Sequence, residues 1–326
     1  MMKTIFSKFE YEAVILAFLL IKMFYRLPYR GLTLSIALAM VACIFITLVL
    51  GKLIRHANRY ADEKTRRTLA LLVAFLLGSS VLNGIIFAAK FVNRGLIVNN
   101  VIFVFCLIVA FATTGKAQDN WHIPIFCFVC CAIQPAFVFI FMPAIIVLLL
   151  YNAYLKSYAS QSILLGGACL IAAAAALLLF GKDIKRVEDL SLANVLESSW
   201  KNIVYSLAIV FPLILIFAMF WVNTIIAAKD KMFKFIIILI MVQPIFSVVA
   251  LAFSEAFIDS VMASALVQFC FLFYFLHIKD SAFMSVFDKA VQIFDRNLLT
   301  TIFVLIYLTA FSLVSPNYEV ANWLGY

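Results

Sequence analysis

The chain consists of apolar runs of about 20 residues separated by short charged joints, and run length is the property that most restricts its fold. The clearest runs cover residues 31–51, 69–89, 95–114, 163–180, 203–226, 235–254, 260–277 and 298–315. A helix needs about 20 residues to cross roughly 30 Å of hydrocarbon, where no water is available to satisfy backbone N–H and C=O groups. The runs are continuous rather than alternating, so a transmembrane β-barrel is excluded. Hydrophobic residues make up 66% of the sequence and charged residues 13%, against about 45–50% and about 25% in soluble domains. The expectation is an all-α, polytopic helical integral membrane protein. It forms one transmembrane domain over residues 1–326, with about 10–11 crossings and no soluble domain.

Two stretches decide the number of crossings. Residues 11–25 carry Glu12 and Lys22 and predict a weaker first span that tilts or lies partly at the interface. The run 123–155 is too long for one ordinary span and holds Pro124, Pro135 and Pro143, which predict a broken element, either one kinked helix or two short ones. The joint from Lys52 to Thr68 holds Lys52, Arg55, Arg59, Lys64, Arg66 and Arg67 and is expected in the cytoplasm by the positive-inside rule. A double crossing at 123–155 gathers twice as many Lys and Arg residues inside as outside, whereas a single crossing divides them almost evenly. Eleven crossings are therefore favoured over ten.

Amphipathic patterns mark two joints. Phe283, Val286, Phe287, Ala290 and Phe294 share one helical face, opposite Asp288, Lys289, Gln292, Asp295 and Arg296, and predict a helix lying on the membrane surface. The joint 181–202 places Leu192, Val195 and Leu196 on one face, with Trp200 suited to the interface. The N-terminal residues 1–10 carry Lys3 and Lys8 but no signal-peptide cleavage pattern.

The formal charge of +9 lies at the ends of apolar runs rather than in one stripe. That placement anchors spans at headgroups and argues against nucleic acid. The seven cysteines sit inside apolar runs, where a thiol behaves as a small hydrophobe. Cys127, Cys130 and Cys131 have redox-like spacing but no second ligand pair, and His56, His122 and His277 are widely separated, so neither a metal nor a cofactor is expected. With no Walker A, dinucleotide, zincin or nucleophile-elbow motif, ATP-driven transport by this chain is not expected.

Glu255 and Asp259 are four apart, on one face if helix runs through them, in a joint short enough to keep both near membrane depth. They are candidates for a general base, a cation ligand or a proton relay. The eleven-crossing topology puts them outside with Arg26, Arg30, Lys90 and Arg94 and with the joint carrying Lys182, Lys185, Arg186, Glu188 and Asp189. Such cations suit a phosphate or pyrophosphate headgroup. Gln134-Pro135 and Gln243-Pro244 form a second pattern, since paired proline-broken spans are where transporters place a binding site. Asn83, Asn99, Asn100, Asn223 and Gln268 are read as polar glue between helices.

The stretch Ile123 to Ser157, a broken apolar element with Pro143 ahead of Leu148-Leu149-Leu150 and a basic joint, resembles the polytopic GT-C-type glycosyltransferases and sugar-polymer polymerases of bacterial envelopes. Phe257 to Asp280 is similar to a late span of some of them that opens on an acidic residue. The resemblance covers under a fifth of the chain. It implies an enzyme of the bacterial cytoplasmic membrane that uses a polyprenyl-phosphate-linked sugar, with membrane lipids and other membrane proteins as partners. The family's acidic residue in the first outer loop has no counterpart between Arg26 and Arg30, so a catalytic role falls to Glu188, Asp189, Glu255 or Asp259. The alternatives are a secondary transporter or flippase of small molecules or lipids, and a non-catalytic membrane subunit.

Overall fold

The computed structural model describes residues 10–26, 34–60, 62–82, 120–135, 137–155, 159–180, 192–249, 257–278 and 281–313, and among them no strand is formed. The helices are α1 (Glu10–Arg26), α2 (Leu34–Tyr60), α3 (Glu63–Gly78), α4 (His122–Ile133), α5 (Phe137–Ile140), α6 (Met142–Tyr154) and α7 (Ala159–Phe180). They continue as α8 (Leu192–Ala227), α9 (Lys231–Val249), α10 (Phe257–Ile278), α11 (Ser281–Arg296) and α12 (Leu298–Leu313). Among the described residues, three apolar helical stretches are long enough to cross a membrane, Phe137–Tyr154, Ala159–Phe180 and Val210–Ala227, or four with the bent pair of residues 261–276 and 281–294. The predicted span at 95–114 lies outside the described residues.

At the centre stands α10. Every residue from Met262 to Leu276 is buried, the condition of a helix that is apolar on all sides, and α3, α5, α8, α9 and α11 pack around it. By contrast, α7 buries only 28% of its apolar window and touches mainly α4 and α6. Its exposed Leu164, Ile171 and Leu178 would face lipid in a bilayer.

The proline-rich run breaks where expected, with α4 ending at Ile133 ahead of Pro135. At the break, the N–H groups of Phe137 and Val138 donate to the Gln134 and Pro135 carbonyls at 3.0 and 3.1 Å. Pro143 sits in the first turn of α6, where its missing N–H costs no helical bond. The run does not double back. Phe128 of α4 meets Phe180 (centroids 6.0 Å), while Ile146 and Leu149 of α6 lie beside Gly166. Those two contacts are about 21 Å apart along α7 at 1.5 Å per residue, so α4 to α6 run past α7 in one direction. The double crossing favoured by the charge count is not formed there, because a proline break bends the chain without reversing it.

The apolar stripe of α11 exists as read, with Phe283, Val286, Phe287 and Ala290 buried. Its partner is protein rather than lipid: α11 packs on α3, α8, α10 and α12. Phe283 stacks on Phe275 at 3.9 Å and 14°, Phe294 meets Phe75 edge-on at 5.4 Å, and Lys64 pairs with Asp288 at 3.1 Å. This puts α11, and with it the C-terminal end of α10, at the same end of the bundle as the basic joint between α2 and α3. The predicted amphipathic joint 181–202 is, from Leu192 onward, the start of the 36-residue α8 rather than a separate helix.

Candidate functional site

Proline decides where polar side chains converge in the middle of the bundle. Pro244 interrupts α9 and has no N–H, so the Ile240 carbonyl loses its helical donor. Gln268 of α10 fills the gap, its Nε2 donating to the Ile240 carbonyl at 3.1 Å and to Gln243 Oε1 at 3.0 Å. Gln268 Oε1 accepts from Trp221 Nε1 of α8 at 2.7 Å. Gln243 Nε2 donates onward to the Ile140 carbonyl of α5 at 2.8 Å. Gln243, Gln268 and Trp221 are all buried, and the network joins α5, α8, α9 and α10. Pro212 in α8 acts likewise: it frees the Ala208 carbonyl, and the Tyr307 hydroxyl of α12 donates there at 2.8 Å. Neutral amides of this kind can orient polar groups but do not transfer protons near neutral pH.

A second polar feature belongs to α1. Lys22, 3% exposed, donates to the Leu77 and Ser79 carbonyls at 2.5 and 3.0 Å. A cation is favoured at the C-terminal end of a helix, where carbonyls lack partners, so Lys22 caps α3. Glu12, 6% exposed, pairs with Arg55 of α2 at 2.6 Å. Sequence reasoning took Glu12 and Lys22 as signs of a weak span; the signal it passed over was an ionisable residue within an apolar run.

At the end that carries α11, an aromatic cluster closes the bundle. Tyr151 meets Phe275 at 4.9 Å and Tyr274 at 6.1 Å, and the Tyr274 hydroxyl donates to Asn152 Oδ1 at 2.8 Å. These contacts join α6 to α10. In the joint between α8 and α9, exposed Asp230 opens α9 by accepting from the Met232 N–H at 3.1 Å. The Tyr154 hydroxyl, and after it that N–H, holds its carboxyl below the usual 3.8.

Of the ten residues assigned a catalytic or binding role from sequence, the structure describes two with their side chains. Gln243 is buried in the central network, and Gln134 is half-buried at the C-terminal end of α4, where its N–H donates to the Cys130 carbonyl at 2.9 Å. The Gln243 amide reaches Ile140 of α5, five residues beyond Pro135, so Gln243-Pro244 lies against the segment that follows the Gln134-Pro135 break. Arg26 and Asp259 are placed by backbone, as the last residue of α1 and a first-turn residue of α10. Glu255, Glu188, Asp189, Arg30, Lys90 and Arg94 lie outside the described residues. Among the described residues, no three His, Cys, Asp or Glu side chains come together as metal ligands. Comparison with protein-family models, curated proteins and solved structures gives no match.

Proposed function

We propose that this chain is a multi-pass protein of the bacterial cytoplasmic membrane that transfers or polymerises sugar from a polyprenyl-phosphate-linked donor at the outer face. The observation that carries this reading is the polarity of α10. Its C-terminal end lies with α11 beside the basic joint 52–68, tied there by Lys64 and Asp288. Its 22 residues extend about 33 Å, one bilayer thickness, so Asp259 sits at the opposite end. With the basic joint in the cytoplasm, the first turn of α10 with Asp259 lies at the outer side, and Glu255, four residues earlier in the sequence, is assigned to that side with it; this does not depend on the double crossing.

In this reading one of the two carboxylates takes the proton of an acceptor hydroxyl. That oxygen attacks the anomeric carbon, and the polyprenyl phosphate leaves with the electron pair of the broken C–O bond. Arg26, Arg30, Lys90 and Arg94 are assigned to neutralise the phosphate, and Glu188 and Asp189 are the other candidate bases. The first turn of α10 suits a carboxylate, because the helix dipole favours its charged form there. Substituting Glu255→Gln and Asp259→Asn in stably inserted protein tests the assignment. Loss of glycan product in at least one variant is expected, and full product in both refutes it.

A second reading rests on the bond from Gln243 to Ile140, which sets Gln243-Pro244 against the segment following the Gln134-Pro135 break: a transporter or flippase with its substrate path at that junction. Uptake into proteoliposomes that falls on Gln243→Leu substitution supports it, and no flux under a proton gradient opposes it.

A further inference from the structure

The outward face of α9 carries a pattern that neither reading uses. Lys231, Lys234, Phe235, Ile238, Met241 and Ile245 follow one another at three- and four-residue steps and form one stripe along the helix. The opposite face, with Phe233, Ile236, Ile237, Ile240 and Gln243, is buried. Lys231 is exposed and Lys234 half-buried, and the four apolar members of the stripe are exposed. Phe235 and Ile245 are about 15 Å apart along the helix, half of the roughly 30 Å of hydrocarbon in a bilayer. The stripe is therefore cationic in its first turn and apolar for the depth of one leaflet.

The turn between α8 and α9 adds Lys229, which is also exposed. Among the described residues, none of the three lysines forms an ion pair. The carboxylate of the turn, Asp230, is engaged by the Tyr154 hydroxyl and the Met232 N–H instead. Tyr154 is itself stacked on Phe233, with centroids 6.1 Å apart, so the acid is turned toward α6 and the start of α9. No acidic residue occupies the first turn of α9, although a helix dipole disfavours cations there. Three ammonium groups so placed lack an anion that the protein does not supply. Phe233 meets Phe283 of α11 at 5.9 Å, which sets the turn at the end of the bundle that carries the basic joint 52–68. The contrast is α7: it bares Leu164, Ile171 and Leu178 but holds no Lys or Arg, so its face selects no headgroup.

We propose that the α9 stripe binds one anionic phospholipid of the adjoining leaflet. Lys229, Lys231 and Lys234 hold its phosphodiester, and an acyl chain lies along Phe235, Ile238, Met241 and Ile245. Lysine suits this task, because its long stem stays on apolar surface while the ammonium reaches the headgroup. The inference rests on the placement of the chain in a membrane and on nothing else in the glycosyl-transfer and transport readings, so it holds or fails independently of either.

Native mass spectrometry of the full chain released from detergent counts the lipid it retains, with phosphatidylglycerol offered against phosphatidylcholine of the same acyl chains. Retention of one phosphatidylglycerol in preference to phosphatidylcholine is expected. A lysine beside anionic lipid is worth about fivefold in affinity. Lys229→Gln, Lys231→Gln and Lys234→Gln combined should therefore weaken retention roughly a hundredfold, and the three corresponding Lys→Arg changes should preserve it. Arg66→Gln with Lys289→Gln removes exposed charge from the same end and should leave retention unchanged. Glycerophosphate, a headgroup without chains, should not displace the lipid. If the triple Gln variant does not fold, Lys231→Gln alone should still show the fivefold loss. The proposal is overturned if both lipids are retained equally, or if folded Gln variants keep phosphatidylglycerol as the parent does. It is also overturned if the Arg66 and Lys289 changes weaken retention as much, which makes the charge diffuse, or if glycerophosphate displaces the lipid, which makes the ligand a free phosphate.

Discussion

Replacing Gln268 by methionine keeps the volume of the side chain but removes every hydrogen bond it makes. Three buried groups then lose a partner: Trp221 Nε1, the Ile240 carbonyl and Gln243 Oε1. A hydrogen bond between helices in a membrane is worth about 0.6 kcal/mol on average and at most about 1.7, so the three together predict a loss of roughly 2–5 kcal/mol. The Ile240 share can be isolated, because its carbonyl needs Gln268 only on account of Pro244. Pro244→Ala restores an N–H one turn away, and the double variant should recover about 0.6–1.7 kcal/mol relative to the sum of the single losses. Unfolding of purified protein in mixed micelles of increasing SDS content measures all four corners of the cycle. If Gln268→Met and Pro244→Ala add to within about 0.5 kcal/mol, the proline-freed carbonyl is not what Gln268 is for.

Other outcomes follow from the same geometry. Gly51→Ala drives a methyl into Glu12 and should cost about 1–3 kcal/mol by overpacking; the same micelle titration reads it, and Glu12→Ala should relieve it. Phe283→Ala empties the site against Phe275 and Trp221 at a cost of about 3–5 kcal/mol. Hydrogen exchange should quicken across α11 first and leave α7 unchanged. Asp230 has a lowered carboxyl pKa, so its contribution to stability is present above the usual 3.8 and is lost as pH falls through the lower, folded value. Tyr154→Phe removes the largest cause, so in thermal melts the variant should be less stable than the parent protein above the usual 3.8, and the difference should shrink as pH falls below it.

The sequence carries the element types openly because apolar length is a one-dimensional property. The run 260–277 and the helix Phe257–Ile278 are the same object, and its interruption-free hydrophobicity already implies burial on all sides. What α11 packs against could not be read: a stripe at positions 283, 286, 287, 290 and 294 specifies an apolar face, not whether lipid or another helix covers it. Glu12 and Lys22 were visible as charges in an apolar run, but their partners, Arg55 and the carbonyls of α3, come from elsewhere in the chain. No local spacing encodes such pairings. Charge counting likewise misjudged 123–155, since counting assigns sides to joints but is blind to whether a proline bends or reverses the chain. Gln268 was legible as a helix-joining amide, though not its match to Pro244.

Pro212 and Pro244 would ordinarily be places for a membrane helix to flex, since each deletes a bond from its own helix. Here each freed carbonyl is held by a side chain of another helix, Tyr307 for Ala208 and Gln268 for Ile240. Bending either helix further would pull that donor off. The kinks are therefore fixed in angle, and α8, α9, α10 and α12 are tied into a single stiff frame. Among the described helices, the freedom to move that remains lies outside that frame, in α7, which touches mainly α4 and α6, and in α1 along α2.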